Sequence, residues 1–438
     1  MAFSPHILTI CLAAGLMLTP DTLVLFGNGL GVLGPVLLLA LPLAVLVHMG
    51  TLQSFRELHE TSGDPVVGFQ RMLGNRAASI ALLLGKLPFA ICASAGLVVT
   101  AGFVFNEVFV YWFPNFTFAY LLLAAVLVIN VFRPSAVPSI QVVSIALAGS
   151  GLFVLTVAGI LNPADTGSTP GKSIGMGYRF LAAAVIVLVG FDMGYYSSRN
   201  ARPRPTQTVR ALMIALVAGG ALLALWGLAA MSLVSSAKLE SSTIPHMIVA
   251  RKALGQPGRI IMGAVAISGV FAAVNAMMYS ISSTTAKLAG SFGGPNASMS
   301  AGKVRVITLL IMAGTSAFLM LLGFAGEPVL ETWIRGGMVL WLIYYMVINV
   351  AAYRIGRAPL RKRDEDRKYP LTLLKGFAFA GAAFGAAGLV LIEPEPKQMV
   401  MFLVTVTAAV TMLVAGVGYF VLRDDHQMSK EHSRSVHP

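Results

Sequence analysis

Charge is what this sequence has least of. Asp, Glu, Lys and Arg make up 11% of its 438 residues and hydrophobic residues 57%, against roughly 25% and 45–50% in ordinary globular domains. At a mean hydropathy of +0.80, a soluble chain would expose large apolar patches. The two or three soluble domains that such a length suggests, at ~150 residues each, are thereby excluded. Two cysteines are too few for a secreted disulfide scaffold. Cys11 and Cys92 sit in apolar runs, the usual setting of buried, inert thiols. Intrinsic disorder would need low hydrophobicity, and a transmembrane barrel would need runs of alternating polarity that are missing. What is left is an all-α polytopic membrane protein.

Acidic residues are scarce beside basic ones, 18 against 31, for a net charge of +13. In a soluble protein that excess would point to nucleic acid. About twelve apolar segments can each span the ~30 Å hydrocarbon core as a helix, at about 7–29, 33–53, 78–106, 116–132, 139–161, 178–197, 209–234, 258–289, 304–324, 334–353, 372–392 and 399–422. With both termini in the cytoplasm, about 23 of the 31 Lys and Arg fall on the cytoplasmic side and about 8 outside. The inner clusters are Arg56/Arg71/Arg76, Arg199/Arg202/Arg204/Arg210, Lys287/Lys303/Arg305 and the run from Arg354 to Lys375. The charge is therefore topology, and no nucleic-acid partner is expected. The first segment lacks a preceding Lys or Arg and is broken by Pro20, so it reads as a retained helix rather than a cleaved leader. A multi-pass protein of the plasma membrane, or of the inner membrane in a bacterium, is the expected location.

Segments three and eight are much longer than a span needs and should tilt. Segments one and six each hold a helix-breaking feature and a carboxylate at mid-span. Gly15-Leu16-Met17-Leu18-Thr19-Pro20-Asp21 interrupts the first, and Gly190-Phe191-Asp192-Met193-Gly194 the sixth. Two interrupted helices at matching positions five spans apart point to a transporter built from a repeated five-helix unit.

Unwound backbone at that depth is tolerated only where protein or a water-filled cavity satisfies it. Half-helix N-termini attract anions, and freed carbonyls attract cations or ammonium groups. A zwitterionic amino acid offers both charges, so a small amino-bearing solute is favoured. Asp21 and Asp192 are costly at bilayer depth, at least ~2.5–3.5 kcal/mol each when unpaired. Each can contact an ammonium group, carry a proton or tie down the unwound backbone. Asp21, behind Pro20, can equally be a helix cap. Lys86, just before Pro88, either snorkels to the interface or is a buried amine that exchanges protons. Ser280, Ser282, Ser283, Thr284 and Thr285 crowd segment eight. Their hydroxyls can bond the carbonyls of their own helix, or Ser282 and Ser283 can supply oxygen ligands to Na⁺. Asn275 is either helix glue or an amide lining the site.

Several motif matches carry no chemistry. Gly29-x-Gly31-x-x-Gly34 fits a dinucleotide fingerprint, but it joins two apolar spans with no strand before it. Gly171-Lys172-Ser173 lacks the glycine that a phosphate loop needs where Thr166 stands. His48 and His59 have no metal-ligand spacing. The glycosylation-type triplets at Asn115 and Asn296 are chance-level patterns. No nucleophile–base arrangement is present, so neither an enzyme nor a cofactor nor a bound metal is expected.

At segments six to eight the sequence resembles the amino acid–polyamine–organocation (APC) transporter superfamily, which has the LeuT-type inverted-repeat fold. Val189-Gly190-Phe191-Asp192 looks like that family's sixth-helix signature. It is followed by a Pro-rich loop and by Arg210-Ala211-Leu212 opening the seventh helix. Ala272-Ala273-Val274-Asn275-Ala276, with Ser282-Ser283 and Ala286-Lys287, resembles the eighth. The resemblance implies a five-plus-five inverted repeat over 1–161 and 178–354. Two additional spans at 371–422 and a cytoplasmic tail at 423–438 would follow. It implies alternating access between helices one, two, six and seven and a scaffold of three, four, eight and nine, with Gly15, Leu18, Thr19, Phe191 and Asp192 at the central site. The family usually has Gly-Ser/Thr-Gly in the first break, where this chain has Thr19-Pro20-Asp21. The function implied is secondary transport of an amino acid or related amine, coupled to H⁺ or by exchange, with Na⁺ symport as the alternative and a non-transport polytopic receptor or enzyme as the more distant one.

Overall fold

A chain in lipid must satisfy its backbone within its own helices. Here fifteen helices do so among the described residues, which in this computed structural model are 4–163, 177–195, 205–292, 300–356 and 365–435. The first span is α1 (Pro5–Ala14) and α2 (Pro20–Leu33), separated by the break. Next come α3 (Val36–Ser62), the short amphipathic α4 (Pro65–Leu73), α5 (Asn75–Val108), α6 (Asn115–Phe132) and α7 (Val137–Leu161). The sixth span is α8 (Gly177–Val187) with a 3-10 turn at Phe191–Gly194. It is followed by α9 (Pro205–Leu233), the short α10 (Ser236–Ser241), α11 (Pro245–Phe292), α12 (Ala301–Leu321), α13 (Pro328–Gly356), α14 (Glu365–Ile392) and α15 (Pro396–Ser435). Among the described residues, ten helices are long and apolar enough to cross a membrane. The two interrupted spans bring the total to the expected twelve.

Local chemistry sets the boundaries. Prolines open α1, α2 and α4, where the missing N–H has no partner to lose. Side chains of Thr19, Asp64 and Ser300 accept backbone N–H groups at the starts of α2, α4 and α12. α11 begins earlier than the hydropathy indicates, because non-helical backbone at Leu254 and Gly255 separates a short leading turn from the spanning part. The last helix also runs past residue 423 to Ser435, since Lys, Glu, Arg and Gln readily extend a helix already formed. Arg199, Arg202, Arg204, Gly171-Lys172-Ser173 and Asn296 lie outside the described residues.

The most deeply buried spans are α5, α11 and α13, whereas α6 and α15 are peripheral. Leu39, Leu121, Phe132, Leu321 and Met401 are more than half exposed, as lipid-facing residues should be. Small residues bring the central helices together. A Cβ added at Gly85 of α5 would lie 2.5 Å from Tyr344 Cβ, and one at Gly337 of α13 would lie 2.7 Å from Phe89 Cα. Gly269 of α11 is tighter still, its added Cβ meeting the Leu18 carbonyl oxygen at 2.2 Å. The first break is thus seated directly on α11. Gly269→Ala is expected to lower stability by about 1–3 kcal/mol, because backbone cannot yield as a side chain does. Gly314→Ala on α12, which meets nothing within 4 Å, should leave the thermal unfolding midpoint in detergent unchanged or slightly raised.

Candidate functional site

The first break frees carbonyls at the end of α1 and N–H groups at the start of α2, and most find partners within the protein. Leu16 O accepts from the Thr22 hydroxyl at 2.8 Å and the Thr19 hydroxyl at 3.2 Å. Thr19 Oγ1 in turn takes the Thr22 N–H. Gln141 Nε2 donates to Cys11 O at 3.0 Å. The cap is therefore Thr19. Asp21 lies in the first turn of α2, exposed, and makes no hydrogen bond to any described residue.

The second break follows from Gly190. Its φ of +97° is left-handed, and an added Cβ would sit 2.3 Å from Leu16 Cδ1, so a side chain is excluded on both counts. This turn swings Asp192 into the core. Lys86 Nζ of α5 lies 2.5 Å from Asp192 Oδ2. Tyr345 Oη donates to Asp192 Oδ1 at 2.7 Å and Trp341 Nε1 does so at 3.2 Å. Tyr345 Oη itself accepts from the Gly190 N–H. Lys86 Nζ also lies over the rings of Trp341 and Tyr344. Lys86 is 1% exposed and Asp192 0%. Removing two opposite charges from water is tolerable where they are paired and further hydrogen-bonded. His48 of α3 completes the cluster: its Nε2–H donates at 2.9 Å to Val185 O, a carbonyl near the end of α8. Its ring packs on Phe191 and Tyr345.

Above these breaks lies a cavity of about 890 Å³. Its floor includes Leu16, Thr19 and Val189, and it runs along α2 and the upper part of α5 to Glu107, Glu327 and Glu331. Most of the wall is apolar. Its charged groups are Asp21, Glu107, Glu327 and Glu331 against Arg335. On the opposite face, ion pairs join neighbouring elements: Asp64 with Lys287 at 3.0 Å, and Glu57 with Lys375. Tyr195 Oη donates to Phe55 O just below the second break.

Thr19 and Asp21 thus stand on the cavity, and Lys86 meets Asp192 outside its lining. Gly15, Leu18, Phe191, Asp192 and Asn275 do not line it. Gly15 instead backs on Ala272 and Ala276. Asn275 Nδ2 donates to Gln141 Oε1 at 2.7 Å, and Asn130 Nδ2 donates to Asn275 Oδ1 at 2.8 Å. A buried amide chain therefore ties α6, α7 and α11 to the end of α1. Ser282 bonds the Tyr279 carbonyl, and Thr284 and Thr285 bond the carbonyls one turn earlier. The hydroxyl oxygens of buried Ser280 and half-buried Ser283 find no hydrogen-bond partner among the described residues. His48, Trp341 and Tyr345 were not legible as site residues, because their relation to Asp192 spans about 150 residues of chain.

At the rim, Glu393 follows α14. Burial pushes its carboxyl up, but hydrogen bonds from Arg335, Thr332 and the Glu395 N–H, with the Arg335 charge, outweigh this and hold it below the usual carboxylate range. Arg335 also reaches Glu331 at 3.4 Å.

No family model matches this chain, and no curated protein matches it in sequence. Its fold does have solved counterparts. Two variants of the Eremococcus coleocola manganese transporter superpose with TM-scores of 0.63 and 0.62 at 12% and 13% identity. The same transporter in complex with an aromatic bis-isothiourea substituted compound gives 0.61 at 12% identity. Each comparison covers 96% of this chain and 94% of the other. The chain has the LeuT-type transporter fold, with helices one and six broken.

Proposed function

We propose that this protein is a secondary active transporter that moves an amino acid or related amine by alternating access, coupled to protons. The observation that carries this reading is the cavity. It runs along α2 and reaches both breaks at Leu16, Thr19 and Val189, and a buried Lys86–Asp192 pair stands outside its lining. A helix pair broken at mid-membrane supplies the place where a solute binds and the backbone that can rearrange around it. The ion pairs Asp64–Lys287 and Glu57–Lys375 close the other face. With the termini in the cytoplasm, as the Lys/Arg distribution implies, the cavity faces outward.

Coupling is assigned to the pair because the charges of Lys86 and Asp192 hold each other while both side chains are buried. Transfer of the Lys86 proton to Asp192 leaves two neutral groups, and further protonation leaves Lys86 charged and free to turn elsewhere. At Gly15 the first break meets Ala272 and Ala276 of α11, and the Na⁺ alternative is an outcome of the test below. Manganese, the solute named for the comparison structures, finds no set of three His, Cys, Asp or Glu side chains close enough to hold it among the described residues.

The test is uptake of radiolabelled amines and amino acids into proteoliposomes under an imposed pH gradient, Na⁺ gradient or neither. Uptake driven by the pH gradient alone is expected. Uptake that requires Na⁺ would replace the proton with Na⁺, and uptake of Mn²⁺ without any organic solute would overturn the reading.

A further inference from the structure

The proposed function leaves open which end of an amino-bearing solute the site reads. The first break is poorly equipped for a carboxylate. Pro20 has no N–H, the Thr22 N–H is taken by Thr19 Oγ1, and the Leu23 N–H is taken by Thr19 O. The first turn of α2 therefore offers an anion at most the Asp21 N–H, beside the negative charge of Asp21 itself. The positive end of the half-helix dipole is occupied by the protein's own carboxylate.

The same cavity is well equipped for a cation. Asp21 is exposed and has no hydrogen bond to any described residue, and Glu331 is near enough for their like charges to repel each other. Glu107 and Glu327 stand farther up the wall, and the one lining guanidinium, Arg335, is engaged by Glu393 and Glu331. A second, independent observation comes from His246. It lines the cavity, is 2% exposed, and neither ring nitrogen has a hydrogen-bond partner among the described residues. A buried polar group without a partner is costly, and a ligand that brings an N–H donor satisfies the acceptor nitrogen of the ring.

We propose that the cavity selects a primary amine that bears no carboxylate, its ammonium on Asp21 and its apolar body against the α2–α5 wall. This rests on the transporter reading above and narrows it. A zwitterion would bring its carboxylate into a field set by Asp21 and Glu331, with Arg335, the guanidinium among the described lining residues, already held by Glu393 and Glu331. A bare ammonium has three donors for the acceptors present, and the removal of Asp21's charge-assisted hydrogen bond should weaken it by about ten- to a hundredfold.

The experiment is calorimetric titration of the purified full chain in detergent with three matched pairs: phenethylamine and phenylalanine, isoamylamine and leucine, putrescine and ornithine. MnCl₂ is titrated in parallel. In at least one pair the amine is expected to bind about tenfold or more tightly than its amino acid. Asp21→Asn, checked for an unchanged unfolding midpoint, should weaken that binding by about ten- to a hundredfold, and His246→Phe should weaken it too. Amino acids binding as tightly as their amines, or Asp21→Asn leaving amine affinity unchanged, would overturn the inference while the transporter reading stands. Silence from every amine at millimolar concentration overturns it too. Binding of Mn²⁺ with none of the six organic probes would sink both readings together.

Discussion

Asp192→Asn is expected to abolish pH-driven uptake and to cost about 3–5 kcal/mol of stability, because it strands Lys86 in the core without its counter-charge. Lys86 is 1% exposed, and its ammonium faces the Asp192 carboxylate and the rings of Trp341 and Tyr344. An asparagine amide keeps hydrogen bonds to Tyr345 and Trp341 but gives the ammonium no negative partner. Lys86→Met combined with Asp192→Asn removes both charges at nearly constant volume. The double variant should recover most of the lost stability, since the two residues are in contact and their effects cannot add. Transport separates the two roles of the pair. A merely structural pair would let the refolded double variant carry solute with the wild-type rate and pH profile. A coupling pair leaves it with exchange at best, indifferent to the pH gradient. Thermal unfolding and uptake, measured on the same preparations, decide between them.

The reasons why some of this was legible in the sequence and some was not are physical. Hydropathy reports burial in lipid, so the twelve spans stand out. Pro20, Gly15 and Gly190 report backbone that cannot stay helical, so both breaks stand out too. The two readings of Lys86, snorkelling or buried, could not be separated along the chain. Its depth is set by Gly85 and Gly337, which bring α5 and α13 into backbone contact, and its partner by the left-handed turn at Gly190. Asp21 was open between a cap and a ligand. The structure gives the cap to Thr19, two positions earlier, because a residue after Pro20 is already inside the helix. The segment-eight hydroxyls were equally ambiguous. Three of the five, Ser282, Thr284 and Thr285, bond carbonyls of their own helix, as hydroxyls in a buried span commonly do. Asn275 turned toward Gln141 and Asn130, a choice set by which helices pack on α11.

Thr19→Trp is the second change with a large expected effect: solute binding and uptake should both fall to background. Thr19 stands where the cavity floor meets the first break, and its hydroxyl holds the start of α2. An indole there would project into the space that the solute needs. It would also remove the cap, at about 0.5–2 kcal/mol, so lost binding could reflect a loosened break rather than a filled cavity. Thr19→Ser keeps the capping oxygen and should transport nearly as well as the wild type. Gly96→Leu fills the same cavity from α5 without touching either break. Its Cβ would meet nothing closer than Ile334 Cδ1 at 3.4 Å. If the cavity is the solute path, Thr19→Trp and Gly96→Leu should both block binding in protein that remains monodisperse and helical, while Thr19→Ser does not. Unchanged affinity in correctly folded Thr19→Trp and Gly96→Leu would move the binding site off this cavity. Loss in Thr19→Trp alone would mean that the break matters through its backbone and not through the space above it.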